Sequence, residues 1–159
     1  MTGTQMKNNI CIVICLVLFI VSCINLNKFD QNIPIKHSEW NIDNILRFAY
    51  NSEDTAHSKD VFINFRHTGL YKYNNIILFV TTLAPDGNSI KDTIEFTIAD
   101  AKGKWVGSGI GDVSDVRLAY RHNVKFGQLG KYIFYIQHGM RDIKLEEVVD
   151  VGIRIQDAK

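Results

Sequence analysis

The stretch DTIEFTIAD (residues 92–100) alternates strictly, with Ile94, Phe96 and Ile98 on one side and Thr93, Glu95 and Thr97 on the other. A period of two suits an extended strand with one buried face and cannot form the apolar stripe of a helix. The same alternation sets Val61, Ile63 and Phe65 against Asn64 and Arg66, and sets Val149, Val151, Ile153 and Ile155 against Asp150, Gly152 and Arg154. NIILFVTTL (75–83) is apolar on both faces, as a central strand covered on both sides should be, and KYIFYIQ (131–137) turns Tyr132, Phe134 and Ile136 inward. LRFAY (46–50) and VRLAY (116–120) are weaker strands, while PDGN, DAKGK and FGQLG (126–130) supply turns between strands. Short strands at this spacing predict a single antiparallel β-sandwich, jelly-roll or immunoglobulin-like, over residues 38–159. The one helical expectation is a turn or two within MRDIKLEEV (140–148).

The beginning of the chain follows a different rule. An apolar run from Ile10 to Ser22 follows Lys7, Asn8 and Asn9. As a helix it spans only about 20 Å, against a hydrocarbon core of about 30 Å, so it has the form of a secretory leader. Ile20-Val21-Ser22-Cys23 resembles the lipobox of bacterial lipoproteins, in which the cysteine is acylated and becomes the first mature residue. On that reading residues 1–22 are the leader, Cys23 is the lipidation site, and residues 23–37 are a polar, asparagine-rich tether. An ordinary leader with a chance cysteine, or a short uncleaved anchor, are the alternatives.

Cysteine usage and charge narrow the classes further. Cys11 and Cys15 lie inside the apolar run, so a mature chain starting at Cys23 has no internal disulfide, cysteine nucleophile or thiolate metal site. The whole chain carries 18 basic and 17 acidic side chains, and residues 1–22 hold Lys7 and no acid, leaving 17 of each. This balance offers no field to hold nucleic acid or an anionic surface, so membrane attachment falls to the lipid.

No catalytic or metal motif declares itself, and neither a cofactor nor an enzymatic activity is expected. The glycines of GKWVGSGIGD (103–112) match neither phosphate-loop nor dinucleotide spacing, and read as a bend or bulge in a strand. The five histidines contain no His-x-x-x-His pair, and the aspartates in turns form no calcium loop. Arg66, Tyr71, Tyr73 and Trp105 stand near strand ends and form the candidate partner-binding set. Aromatic rings there serve either as contacts or as plugs for the open end of a sandwich, and Arg66 either contacts a partner or pairs with an internal acid.

INFRHTGLYKYNNIILFV, DTIEFTIADAKGKWVGSGIGD, FGQLGKYIFYIQHGMRD and VVDVGIRI, in that order from about Trp40 to Ile155, resemble the gliding-motility-associated lipoprotein family GldH of Bacteroidota. The resemblance implies a non-enzymatic envelope lipoprotein that supports the gliding machinery and its associated secretion system, with other envelope proteins as partners. Surface-exported lipoproteins of that phylum tend to carry acids directly after the cysteine. Here Ile24 to Lys28 hold none and the first is Asp30, so the expectation is an outer-membrane lipoprotein facing the periplasm. A glycan- or ligand-binding sandwich is the alternative function.

Overall fold

The computed structural model describes residues 28–158. Their antiparallel pairings nest around one hairpin. Innermost, β5 (Asn75–Leu83) pairs with β6 (Ser89–Thr97) across the PDGN turn. Around it β4 (Lys59–Thr68) pairs with β8 (Val113–Val124), then β3 (Leu46–Ser52) with β9 (Gly130–His138), and outermost β1 (Phe29–Pro34) with β11 (Val148–Asp157). Rolled up, this long hairpin gives one sheet in the order β1-β11-β4-β8, extended by the short β7 (Ser108–Ile110), and a second in the order β3-β9-β5-β6. That connectivity is the jelly roll, and it decides between the two sandwiches the sequence allows. A ribbon formed by β2 (Glu39–Asn41) and β10 (Lys144–Glu146) closes one end.

Buried side chains follow the alternation. Val61, Ile63 and Phe65 of β4 face Tyr132, Phe134 and Ile136 of β9 and Ile76, Leu78 and Val80 of β5 across the core. Trp40 is fully buried, its Nε1 donating to the Asn44 carbonyl at 2.9 Å, so the indole is covered without an orphaned donor. At the open side, Asp92 on edge strand β6 accepts from Tyr120 Oη at 2.6 Å and an Arg121 guanidinium nitrogen at 2.7 Å, both on β8. A charge held inward on an edge strand fastens the two sheets and discourages pairing with another chain.

Three expectations need correction. The segment expected as a tether to residue 37 enters the sheet at Phe29, because Phe29 and Ile33 pack on the core while β1 takes the free edge of β11. MRDIKLEEV forms no helix; Lys144–Glu146 becomes β10, with Leu145 buried opposite Trp40. In β11 the inward set does not begin at Val149, since a bulge between Val148 and Asp150 turns Val148 inward.

The nesting sorts the loops between two ends. Lys28, residues 53–58, the 84–88 turn, residues 125–129 and the end of β11 share the proximal end, beside the chain's entry into β1. Residues 35–45, 69–74, 98–112 and 139–147 share the distal end.

Candidate functional site

The distal end is built on His67. Strand β4 carries Phe65 and His67 inward in succession, and the chain then turns through Gly69, whose amide donates to the Asp112 carbonyl at 2.7 Å. His67 is fully buried. One ring nitrogen, Nδ1, lies 2.8 Å from the Thr68 carbonyl, while Nε2 has no hydrogen-bond partner. Burial holds its pKa below the ordinary histidine value.

The rings of Phe65, Tyr71 and Trp105 lie against that imidazole, and Tyr73 packs on Tyr71. Tyr71 is buried, edge-on to Phe65 at 5.5 Å and 5.2 Å from His67 between centroids. Its hydroxyl donates to the Asn75 carbonyl at 3.2 Å, and burial raises the phenol well above its usual pKa. Trp105 arrives from the β6–β7 connection, fixed by the pairing of Ala99 with Trp105, and is only partly covered. Tyr73 is half-buried, 6.0 Å from Tyr71, and donates to Asp142 Oδ2 at 2.8 Å. That hydrogen bond, followed by one from Lys72, holds the Asp142 carboxyl below its usual pKa and ties the 69–74 loop to the 139–143 loop.

Of the four residues singled out, Tyr71, Tyr73 and Trp105 thus form one cluster, with Tyr71 as its plug and the other two reaching the surface. Arg66 points to the opposite face of β4. There Nε donates to Asp150 Oδ2 at 2.6 Å and a second guanidinium nitrogen contacts the same oxygen. The internal acid is therefore its partner. Cys23 lies outside the described residues.

The loop-tip aliphatics join these rings. Six large hydrophobic side chains are exposed among the described residues, and four sit at the distal end: Ile45, Leu70, Val106 and Ile143. Leu70 adjoins Tyr71 and Val106 adjoins Trp105, whose rings are 6.3 Å apart. Ile143 accepts from the amide of Ile42, at the base of the Ile45 loop, at 2.8 Å. Each loop offers a single exposed large aliphatic without periodicity, so nothing in the sequence marks them as neighbours.

The proximal end holds a cleft of about 950 Å³ lined by Lys28, Tyr50, His57, Lys59 and Asp157 among others. Its charges answer one another: Lys59 Nζ lies 2.5 Å from Asp157 Oδ1, and His57 Nδ1 lies 2.8 Å from Asp54 Oδ2. The Ala56 amide and then the His57 ring bring the Asp54 carboxyl down to about 2. Among the described residues, no group of three or more His, Cys, Asp or Glu is gathered as a metal site would require.

The fold defines an all-β protein of jelly-roll type. A family model described as GldH lipoprotein matches residues 27–155, and the chain belongs to that family. It is 35% identical over 147 residues to the gliding motility lipoprotein GldH homolog of Christiangramia forsetii, covering 88% of this chain and 90% of the relative. It is 30% identical over 146 residues to gliding motility lipoprotein GldH of Flavobacterium johnsoniae, covering 87% and 90%. Among solved structures, a carbohydrate-binding module specific for non-crystalline cellulose is similar at 10% identity and a TM-score of 0.44, over 82% of this chain and 74% of that one. Membership makes the chain a lipid-anchored membrane lipoprotein.

Proposed function

We propose that this lipoprotein is a non-enzymatic component of the gliding-motility apparatus and its associated secretion machinery. It is acylated at Cys23, held at the outer membrane and turned toward the periplasm, where its distal rim docks other envelope proteins. The gathering of Ile45, Leu70, Val106 and Ile143 at one end carries this reading. Single exposed aliphatics are ordinary on a protein surface, whereas several on adjoining loops, beside half-covered aromatic rings, suit a protein contact. The relatives' names connect the family to gliding, and the absence of acids before Asp30 supports the periplasmic side.

Crosslinking in cells followed by recovery of the lipoprotein tests the docking. Replacing Leu70 and Ile143 by aspartate should reduce recovery of envelope proteins and impair gliding, while leaving thermal stability and membrane attachment unchanged. Undiminished recovery would overturn the rim as the contact. Protease added to intact cells should spare the domain and cut it once the outer membrane is opened. Digestion in intact cells would overturn the periplasmic placement.

A further inference from the structure

Among the described residues, the two exposed large hydrophobics outside the rim, Ile90 and Leu129, both stand at the proximal end. Ile90 is 64% exposed at the start of β6, one residue from the hairpin turn, and Leu129 is 63% exposed in the β8–β9 loop. Gly130, next to Leu129, packs close to Pro85 of that same hairpin.

The described chain also begins at this end, entering the sheet at Phe29. Only Ile24 to Lys28 separate Cys23 from Phe29, so the lipidated cysteine reaches at most about 20 Å from the start of β1. β8, at 12 residues, is about 40 Å long. A tether half the length of the domain keeps the proximal end near the bilayer surface. Phe29 is joined to the Leu129 loop through one ring: Tyr50 meets Phe29 edge-on at 5.5 Å and Phe126 at a tilt at 5.0 Å between centroids. Phe126 in turn meets Tyr132 edge-on at 4.8 Å, and the Gln128 amide donates to Tyr132 Oη at 3.1 Å. The strand that leads to the lipid and the loop that presents Leu129 are therefore braced on one another.

We infer that the proximal end rests on the bilayer, with Leu129 and Ile90 dipping into the interfacial region as a second contact beside the acyl chains. The contact is apolar rather than electrostatic. Lys125 and Lys131 flank the loop, but Glu53, Asp54 and Asp86 share the same end. Two aliphatic side chains alone bind a membrane weakly, and next to a lipid anchor they act by orienting the domain. The distal rim then projects away from the membrane. This inference rests on the lipid anchor of the proposed function.

The test uses the mature lipidated protein in phosphatidylethanolamine–phosphatidylglycerol vesicles. Acylated Cys23 leaves that chain without a free thiol, so Leu129→Cys, Ile90→Cys and Leu70→Cys variants each accept one environment-sensitive fluorophore. Lipids spin-labelled near the headgroup should quench about half or more of the emission at positions 129 and 90, and leave position 70 unquenched. Equal quenching at all three positions, or none, would overturn the contact. So would positions 129 and 90 shielded from aqueous iodide but untouched by the labelled lipid, the pattern of a second copy or a protein partner seated there. Mass spectrometry of the mature N-terminus separates the two failures. An acylated Cys23 with unresponsive probes overturns only the bilayer contact, whereas an unacylated Cys23 overturns the anchor and the contact together.

Discussion

The indole of Trp105 meets the imidazole of His67 edge-on, with ring centroids 4.5 Å apart and the planes at 70°. His67 belongs to β4 and is fully buried, while Trp105 comes from the connection that follows β6. One aromatic contact thus closes the sandwich and fixes the loop that carries Val106 to the rim.

That burial makes stability depend on acid. His67 and His138 are both held below the ordinary histidine pKa by desolvation, so both are neutral in the folded chain near neutral pH. Above about 6.5 folded and unfolded chains hold the same protons at these sites, and the stability is full. As pH falls below 6.5 the unfolded chain takes up protons first, and stability is lost down to the depressed folded values. The urea midpoint should therefore drop between pH 7.5 and 5.5, and His67→Phe should remove roughly half of these histidines' contribution to the drop. An unaltered pH slope in that variant would contradict a neutral, buried His67.

Phe134 is 2% exposed in the middle of β9, and Glu95 lies on the outer face of β6. Phe134→Ala should cost about 3–5 kcal/mol in chemical denaturation, the usual range for emptying a packed aromatic site. Phe96→Ala should cost less, because Phe96 only partly enters the core. Glu95→Gln keeps the acceptor that Asn75 Nδ2 reaches at 2.6 Å and should change stability by less than about 0.5 kcal/mol.

Arg66 and Asp150 make an asymmetric pair, with the guanidinium side chain 42% exposed and the carboxylate 3%. Removing the arginine leaves a buried carboxylate without its counter-charge. Arg66→Met should therefore cost about 2–3 kcal/mol, less than for a fully enclosed pair because water still reaches one partner. Adding Asp150→Asn should return part of that loss. A double variant as unstable as the single one would show that the charge is not what is left uncompensated.

Gly152 lies under β1, where a Cβ would fall 1.7 Å from Asn32 Oδ1 and 2.6 Å from the Gln31 carbonyl oxygen. Gly152→Ala should push β1 off the sheet edge and speed amide hydrogen exchange from Phe29 to Ile33. Asn32→Ala should not rescue it, since the backbone clash remains. Normal protection of β1 in the single variant would show that the strand shifts to accommodate the methyl group.

Alternation is a local property, so the sequence alone was enough to find the strands and most of their inward faces. In β4, β6 and β9 a side chain's direction follows from its parity along the chain, and Ile63, Phe96 and Phe134 point where parity sends them. The lipobox-like Ser22-Cys23 and the four ordered family segments are equally local, which is why the lipoprotein class was readable from residues. Parity failed at Val149, where a bulge inserts one residue and no local signal marks it. It was also silent on β1, whose asparagine-rich stretch becomes a strand only because β11, more than a hundred residues later, has a free edge beside it. Arg66 had two readings until the β4–β11 register brought Asp150 opposite it. The rim depended most on tertiary structure: Ile45, Leu70, Val106 and Ile143 are scattered among four loops, and only the nested hairpin brings those loops to the end of the sandwich away from the start of β1. Side-chain direction depends on the backbone a residue or two away, whereas neighbours on a jelly roll are set by pairings between strands far apart in the chain.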